Sequence, residues 1–120
     1  MVSNLKGRNK NKQELIVEQE QKQEVIKAST ILMQATEEQC YNQYTDKKGR
    51  FCARAVLMRY FEGYDDKGNA TDKFSEATFK VQDLFWREGK LDSDISLSHL
   101  NDYEKMTFKE IGLYLKEKGY

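Results

Sequence analysis

The sequence predicts a mainly α-helical, compact domain with four helices, a long N-terminal helix among them, and one short β-hairpin at about residues 41–53. Apolar residues recur at intervals of three and four in several segments, which is the spacing of one helix face. The chain has no proline, so none interrupts a helix interior. Its 120 residues match the length of one domain, and 12% aromatic residues supply apolar surface for a core.

The N-terminal region predicts two structures in succession. Residues 1–11 are polar and basic, which favours a disordered lead, either a solvated tail or an electrostatic arm for a polyanion. Good helix formers then run from Lys12 to Ala35, so we expect the first helix there, inside a single helical domain over residues 12–120. Leu15, Ile16 and Val17 form an isolated apolar cluster on this helix, which could pack on the domain or against a second copy.

The next stretch predicts the hairpin. Tyr41, Tyr44 and Phe51 favour extended backbone, and the segment from Asp46 to Gly49 favours a turn. Because a lone two-stranded hairpin is marginally stable, we expect it to pack on a helix.

Three further helices follow. The second runs from about Cys52 to Glu62, with Gly63 as its stop. The third spans about residues 71–87, with Thr71 or Asp72 as its cap. The last helix begins with a capping box, the pattern in which a threonine and a glutamate three residues later cap each other, here Thr107 and Glu110.

Charge and composition exclude several classes of protein. Twenty basic residues balance twenty acidic ones, whereas a duplex-binding protein usually has a clear basic excess, so duplex nucleic acid is not expected as the main partner. No apolar run reaches the roughly 18 residues of a membrane span, and no signal sequence is visible. We therefore expect a cytoplasmic protein whose Cys40 and Cys52 are free thiols.

The residues for catalysis or metal binding are sparse. No paired cysteine or histidine spacing is present, so neither a metal site nor a cofactor is expected. Cys52 with His99, oriented by Asn101 or Asp102, has the residue order of a thiol-dependent hydrolase. Cys52 also starts a helix, where the dipole lowers a thiol pKa, but a buried structural thiol is equally typical of that position.

Aromatic residues and arginines are the more informative set. They cluster at predicted hairpin positions and helix ends, where such side chains can stack a base and hold a phosphate, or form a protein-binding hot spot. The candidate ligand-binding residues are Tyr41, Tyr44, Arg50, Arg54, Tyr64 and Trp86.

Two fragments also carry a resemblance. The fragment from Asp46 to Leu57 begins D-x-x-G-R-x-C-A, and the fragment from Leu100 to Ile111 contains N-D followed by T-x-x-E-I. They resemble a family of small bacterial and bacteriophage proteins of unknown function, loosely over residues 28–118. The sequence departs from the family where Arg54 replaces an expected glycine and Leu100 an expected tryptophan.

The resemblance implies that Cys52, Asn101 and Asp102 belong to one pattern. Its structural interpretation is a core cysteine and an Asx turn before the last helix.

We interpret the chain as a non-enzymatic binding protein, a phage-type accessory or anti-defence factor that captures a host protein or a small nucleotide signal. The alternatives are the hydrolase described above and a homodimer formed through the first helix.

Overall fold

The computed structural model of the protein describes residues 26–87, 89–92 and 95–120. These residues form a compact, mostly helical globule, as the sequence predicts. The elements are α1 (Ala28–Met33), α2 (Ala53–Tyr60), α3 (Phe74–Asp83), β1 (Trp86–Arg87), β2 (Lys90–Leu91), a π-helical turn (His99–Tyr103) and α4 (Phe108–Glu117). The predicted lead, residues 1–11, and the Leu15–Val17 cluster lie outside the described residues.

Helix α1 is shorter than the described part of the predicted first helix. It begins at Ala28, because the backbone of Lys27 is extended, with φ −112° and ψ 148°. The prediction of one unbroken helix from Lys12 to Ala35 is therefore wrong at Lys27. Residues 12–25 of that predicted helix lie outside the described residues. Ala28 and Leu32 face the core, and the helix packs mainly against α4.

Helix α4 follows the sequence prediction closely. The Thr107 hydroxyl accepts from the Glu110 N–H at 3.1 Å, and the Glu110 carboxylate accepts from the Thr107 N–H at 2.8 Å, which confirms the capping box. Ile111 and Leu115 are fully buried. Gly112 lies at the crossing with α1, where an added Cβ would stand 3.1 Å from the Ser29 carbonyl oxygen.

The ends of α2 and α3 differ from the predictions. Glu62, rather than Gly63, takes the left-handed conformation after α2, with φ 69°. Gly63 is needed for packing instead, since a Cβ there would lie 2.7 Å from the Ala77 Cβ on α3. The N-cap position of α3 is Lys73, whose side chain makes no capping bond. Thr71, the predicted cap, lies two residues before it, and its hydroxyl accepts from the Lys73 N–H.

The predicted hairpin is present only as isolated pairing around a turn, with no regular strand in this segment; the Cys52 N–H donates to the Tyr44 carbonyl oxygen at 2.8 Å and the Asp46 N–H to that of Arg50 at 3.1 Å. Phe51 makes single bridges to Gln39 and Thr45, and β1 with β2 is the one regular ladder in the described part of the chain. Asn42 is left-handed, with φ 64°, which breaks the alternation that a strand would need. The Asp46 carboxylate accepts from the Arg50 N–H and other donors of its turn, which holds its pKa below the usual range.

Candidate binding site

Three of the six candidate ligand-binding residues meet at one pocket. Tyr44, Arg54 and Tyr64 line a cavity of about 200 Å³ between α2 and α3, which we call the α2–α3 pocket. The sequence did not single out its other lining residues, which are Ala55, Met58, Phe74 and Thr78. The only signal for these four residues is their helical spacing, since Ala55 and Met58 are three apart on α2 and Phe74 and Thr78 are four apart on α3.

An aromatic stack forms the wall of the pocket. Tyr64 packs edge-on against Phe74, with ring centroids 5.5 Å apart, and edge-on against Phe51 on its other side at 6.3 Å. Because Phe51 is itself in the core, Tyr64 is anchored on both sides. Edge-to-face aromatic pairs of this kind are stabilising beyond their buried area, so the wall is expected to keep its shape without a ligand.

The floor of the pocket is apolar and its polar groups are satisfied. Met58 is buried, and the Thr78 hydroxyl donates to the Phe74 carbonyl oxygen at 3.1 Å. The pocket therefore offers an apolar surface below and leaves polar recognition to the residues at its rim.

Arg54 is the charged group of the pocket. It is half-buried, and within the described ranges its guanidinium makes no hydrogen bond and no ion pair. The seven lining residues include this one cation and no carboxylate. A guanidinium has five N–H donors in a planar fork that suits a carboxylate or phosphate, so Arg54 is available to bind an anion.

Tyr64 supplies a second polar group. Only 9% of this residue is exposed, yet its hydroxyl has no hydrogen-bond partner among the residues that the structure describes. Burial raises the pKa of the Tyr64 phenol, nearby Cys52 and Tyr44 raise it further, and Arg54 opposes them. The hydroxyl therefore keeps its proton at neutral pH and can donate to a ligand.

The other three candidate residues do not reach this pocket. Arg50 pairs with Asp46 at 2.5 Å and serves the turn. Tyr41 lies under the Lys105 ammonium, 4.3 Å from ring centroid to nitrogen. Trp86 lines a separate cavity with Phe61 and Lys80. All six residues were selected for their type and their predicted places at the hairpin or helix ends, and the fold places them at different sites.

The candidate catalytic residues do not form a nucleophilic site. Cys52 is buried, and that burial raises the pKa of its thiol despite backbone N–H groups of α2 that act in the opposite direction. The exposed His99 ring stacks on Tyr103 and lies 3.1 Å from a Glu104 oxygen. No contact found for His99 within the described residues involves Cys52.

Asn101 connects the segments around Cys52 and is fully buried. Its side-chain oxygen accepts from the Ala53 N–H at 3.1 Å and from the Gln39 amide at 2.7 Å. Its side-chain nitrogen donates to the Cys40 carbonyl oxygen at 2.9 Å and to Asp102 at 2.6 Å. Because Cys52 makes no capping bond of its own, Asn101 caps α2 from a distant part of the chain.

Asp102 makes a hydrogen bond to the segment that was predicted to form the hairpin. Its carboxylate accepts from the Asn42 N–H at 2.9 Å, so it fixes the left-handed residue of that loop. Cys52, Asn101 and Asp102 thus lie in one neighbourhood, and the hydrogen bonds of Asn101 and Asp102 there connect distant segments of the fold. Three of the four side-chain bonds of Asn101 reach residues 48 to 62 positions away and the fourth joins the adjacent Asp102, so the set is not a local Asx turn.

We expect both cysteines to be unreactive in the folded protein. Burial, first among several causes, raises the pKa of the Cys40 thiol to about 11, and Cys52 shifts in the same direction. Since only the thiolate attacks, 5,5′-dithiobis(2-nitrobenzoic acid) at pH 8 should react about 100-fold more slowly with the native chain than with the chain in urea. A rapid release of one equivalent of chromophore from the native chain would contradict this expectation.

The described residues also bear on metal binding and on membrane insertion. They contain no group of three or more histidine, cysteine, aspartate or glutamate side chains placed to hold a metal ion. Among the helices in the same ranges, none has the length and apolarity needed to cross a membrane.

Comparison of the whole chain with protein-family models, with curated proteins and with solved structures finds no match. An assignment of function therefore depends on the geometry of the site.

Proposed function

We propose that this chain is a non-enzymatic binding protein that captures its partner in the α2–α3 pocket. The observation that supports this most strongly is the convergence of Arg54 and Tyr64 on one apolar cavity, each without a polar partner in the described part of the chain. Binding sites typically combine an apolar lining with a few polar groups that orient the ligand. The Arg54 side chain has no polar contact in the described part of the chain comparable to those of Arg50 and Asn101, whereas Tyr64 has a structural role through its ring, which packs between Phe51 and Phe74.

The size of the pocket favours a protein partner over a nucleotide. Small-molecule sites usually enclose about 300–1,000 Å³, and this cavity has about 200 Å³. That volume suits one inserted side chain, and protein interfaces commonly use such an anchor residue in a pocket. We therefore propose a host protein as the partner, in keeping with the phage-type accessory or anti-defence role expected from the sequence.

Quantitative affinity capture tests the proposal. The full chain is purified from the cells that make it, as wild type and as Tyr44→Ala, and the bound proteins are measured by mass spectrometry. The matched control is Tyr60→Ala, because Tyr60 is 51% exposed, Tyr44 is 52% exposed, and Tyr60 lies outside the pocket. We expect a partner that Tyr44→Ala loses at least about tenfold, equivalent to about 1.4 kcal/mol, and that Tyr60→Ala retains.

Two results would contradict the proposal. One is a partner that all variants retain equally, which would place the interface elsewhere. The other is a preparation whose native mass spectrum shows a bound small molecule in place of a protein.

A further inference from the structure

The cavity beside Trp86, which we call the Trp86 cavity, lies where the described part of the chain begins. It has about 370 Å³, and Ile26, the first described residue, belongs to its lining. Its other apolar side chains are those of Phe61 directly after α2, Leu84 directly after α3, and Trp86. Trp86 is 48% exposed. Since an apolar cavity of about 150 Å³ holds a benzene ring, the Trp86 cavity has room for about two apolar side chains.

The backbone before α1 lets the preceding segment return to this cavity. Ile26 and Lys27 are not helical, and Lys27 is extended, with φ −112° and ψ 148°. A helix that continued the axis of α1 would carry Val17 about 14 Å away from Ile26, at a rise of 1.5 Å per residue. That axis is broken at Lys27. The eight residues between Val17 and Ile26 therefore suffice to bring the Leu15–Val17 cluster back, because packed elements are usually joined by about 4–6 residues.

The charges around the cavity suit the same segment. The lining has two cations, Lys27 and Lys80, and one carboxylate, Asp83. Lys80 pairs with Glu76 of its own helix, whereas the Lys27 ammonium has no ion pair among the described residues. Residues 14–25 contain four glutamates and one lysine, so they bring a net negative charge to this rim.

A second cavity, between α1 and α2, also has Ile26 in its lining and measures about 400 Å³. Its two charged residues, Arg59 and Glu37, pair with each other at 2.9 Å. It therefore offers the acid-rich segment no unpaired cation, and the Trp86 cavity is the better match.

We propose that the Leu15–Val17 cluster of the same chain docks in the Trp86 cavity. The docked segment covers the exposed face of Trp86 and places its glutamates near Lys27. Attachment at Ile26 favours the same chain over a second copy, because a short tether gives an effective concentration in the millimolar range. The α2–α3 pocket shares no lining residue with this cavity, so the inference is independent of the proposed function.

The fluorescence of Trp86 tests the inference, because Trp86 is the one tryptophan of the chain. The full wild-type chain is compared with a cluster variant that carries Leu15→Asp, Ile16→Asp and Val17→Asp. Loss of the apolar cluster should expose the indole ring to solvent. We expect emission at longer wavelength and an acrylamide quenching constant at least about twice that of wild type.

The matched control carries Gln19→Asp, Gln21→Asp and Gln23→Asp, which adds the same charge in the polar stretch after the cluster. Its quenching constant should equal that of wild type. A rim variant, Lys27→Glu, tests the cavity from the other side. It should also raise the quenching constant, and an acidic residue at the start of α1 suits the helix dipole, so the fold is retained.

Two results would overturn the inference. One is a quenching constant that neither the cluster variant nor Lys27→Glu changes, which would show that the segment does not cover Trp86. The other is a wild-type quenching constant that falls as the chain is concentrated, which would assign the cavity to a second copy.

Discussion

Replacing Asn101 with leucine should lower the free energy of unfolding by about 4 kcal/mol, because each buried group left without a partner costs about 1–3 kcal/mol. Leucine has a similar volume but can neither accept nor donate a hydrogen bond. The Ala53 N–H, the Gln39 amide and the Cys40 carbonyl would each lose a partner in the interior. A single domain has only about 5–15 kcal/mol of stability in total, so this variant should be close to unfolding.

Urea unfolding followed by circular dichroism measures this effect. The matched control is Tyr103→Ala in the same π-helical turn, because Tyr103 is 80% exposed and should change the free energy by less than about 0.5 kcal/mol. If Asn101→Leu lost less than about 1 kcal/mol, Asn101 would not be the connection that we describe.

Valine at Gly112 should cost about 3 kcal/mol, since added atoms in a packed interior typically cost 1–3 kcal/mol and occasionally more. An added Cβ would lie 2.5 Å from the Met33 Cγ, which can move, and 3.1–3.2 Å from backbone atoms of Ser29 and Met33, which cannot move alone. The larger side chain would therefore push α1 away from α4.

Thermal unfolding of Gly112→Val against Leu113→Val isolates the packing effect. Leu113 is the next residue of α4 and is largely exposed, so valine there tests helix propensity without the contact to α1. Equal melting temperatures for the two variants would contradict the close approach of α1 and α4.

Local signals made part of the fold predictable. The Thr107–Glu110 capping box depends on residues three apart, so the sequence alone identified the start of α4. The buried face of α2 was partly visible: of the predicted stripe Ala53, Val56, Leu57, Tyr60 and Phe61, the first three are buried, whereas Tyr60 is exposed.

Contacts between distant segments were not predictable. Gly63 was assigned the task of ending α2, and its actual importance comes from the approach of Ala77. A glycine within a helix, such as Gly112, costs about 1 kcal/mol in propensity, which signals a packing reason without naming the neighbour. The hairpin is reduced to isolated bridges, and its first predicted strand is interrupted at the left-handed Asn42, whose N–H donates to Asp102, 60 residues away.

In the candidate site, too, residue types were predictable from the sequence, and contacts between distant segments were not. Aromatic and arginine content selected six residues, of which Tyr44, Arg54 and Tyr64 share the α2–α3 pocket. The sequence could have excluded Arg50, because Asp46 stands four residues earlier in a turn pattern. Nothing local distinguished Trp86 from Tyr64, since their separation depends on how α3 packs.

The most direct test of the binding pocket is a methyl NMR titration of the full chain with phenylacetate, using phenylacetamide as the neutral control. The Ala55 and Met58 methyl groups lie in the pocket lining and report its occupancy. We expect both signals to shift, and we expect phenylacetate to bind more tightly than phenylacetamide because its carboxylate pairs with Arg54. Unchanged Ala55 and Met58 signals, with shifts confined to the cavity beside Trp86, would contradict the account.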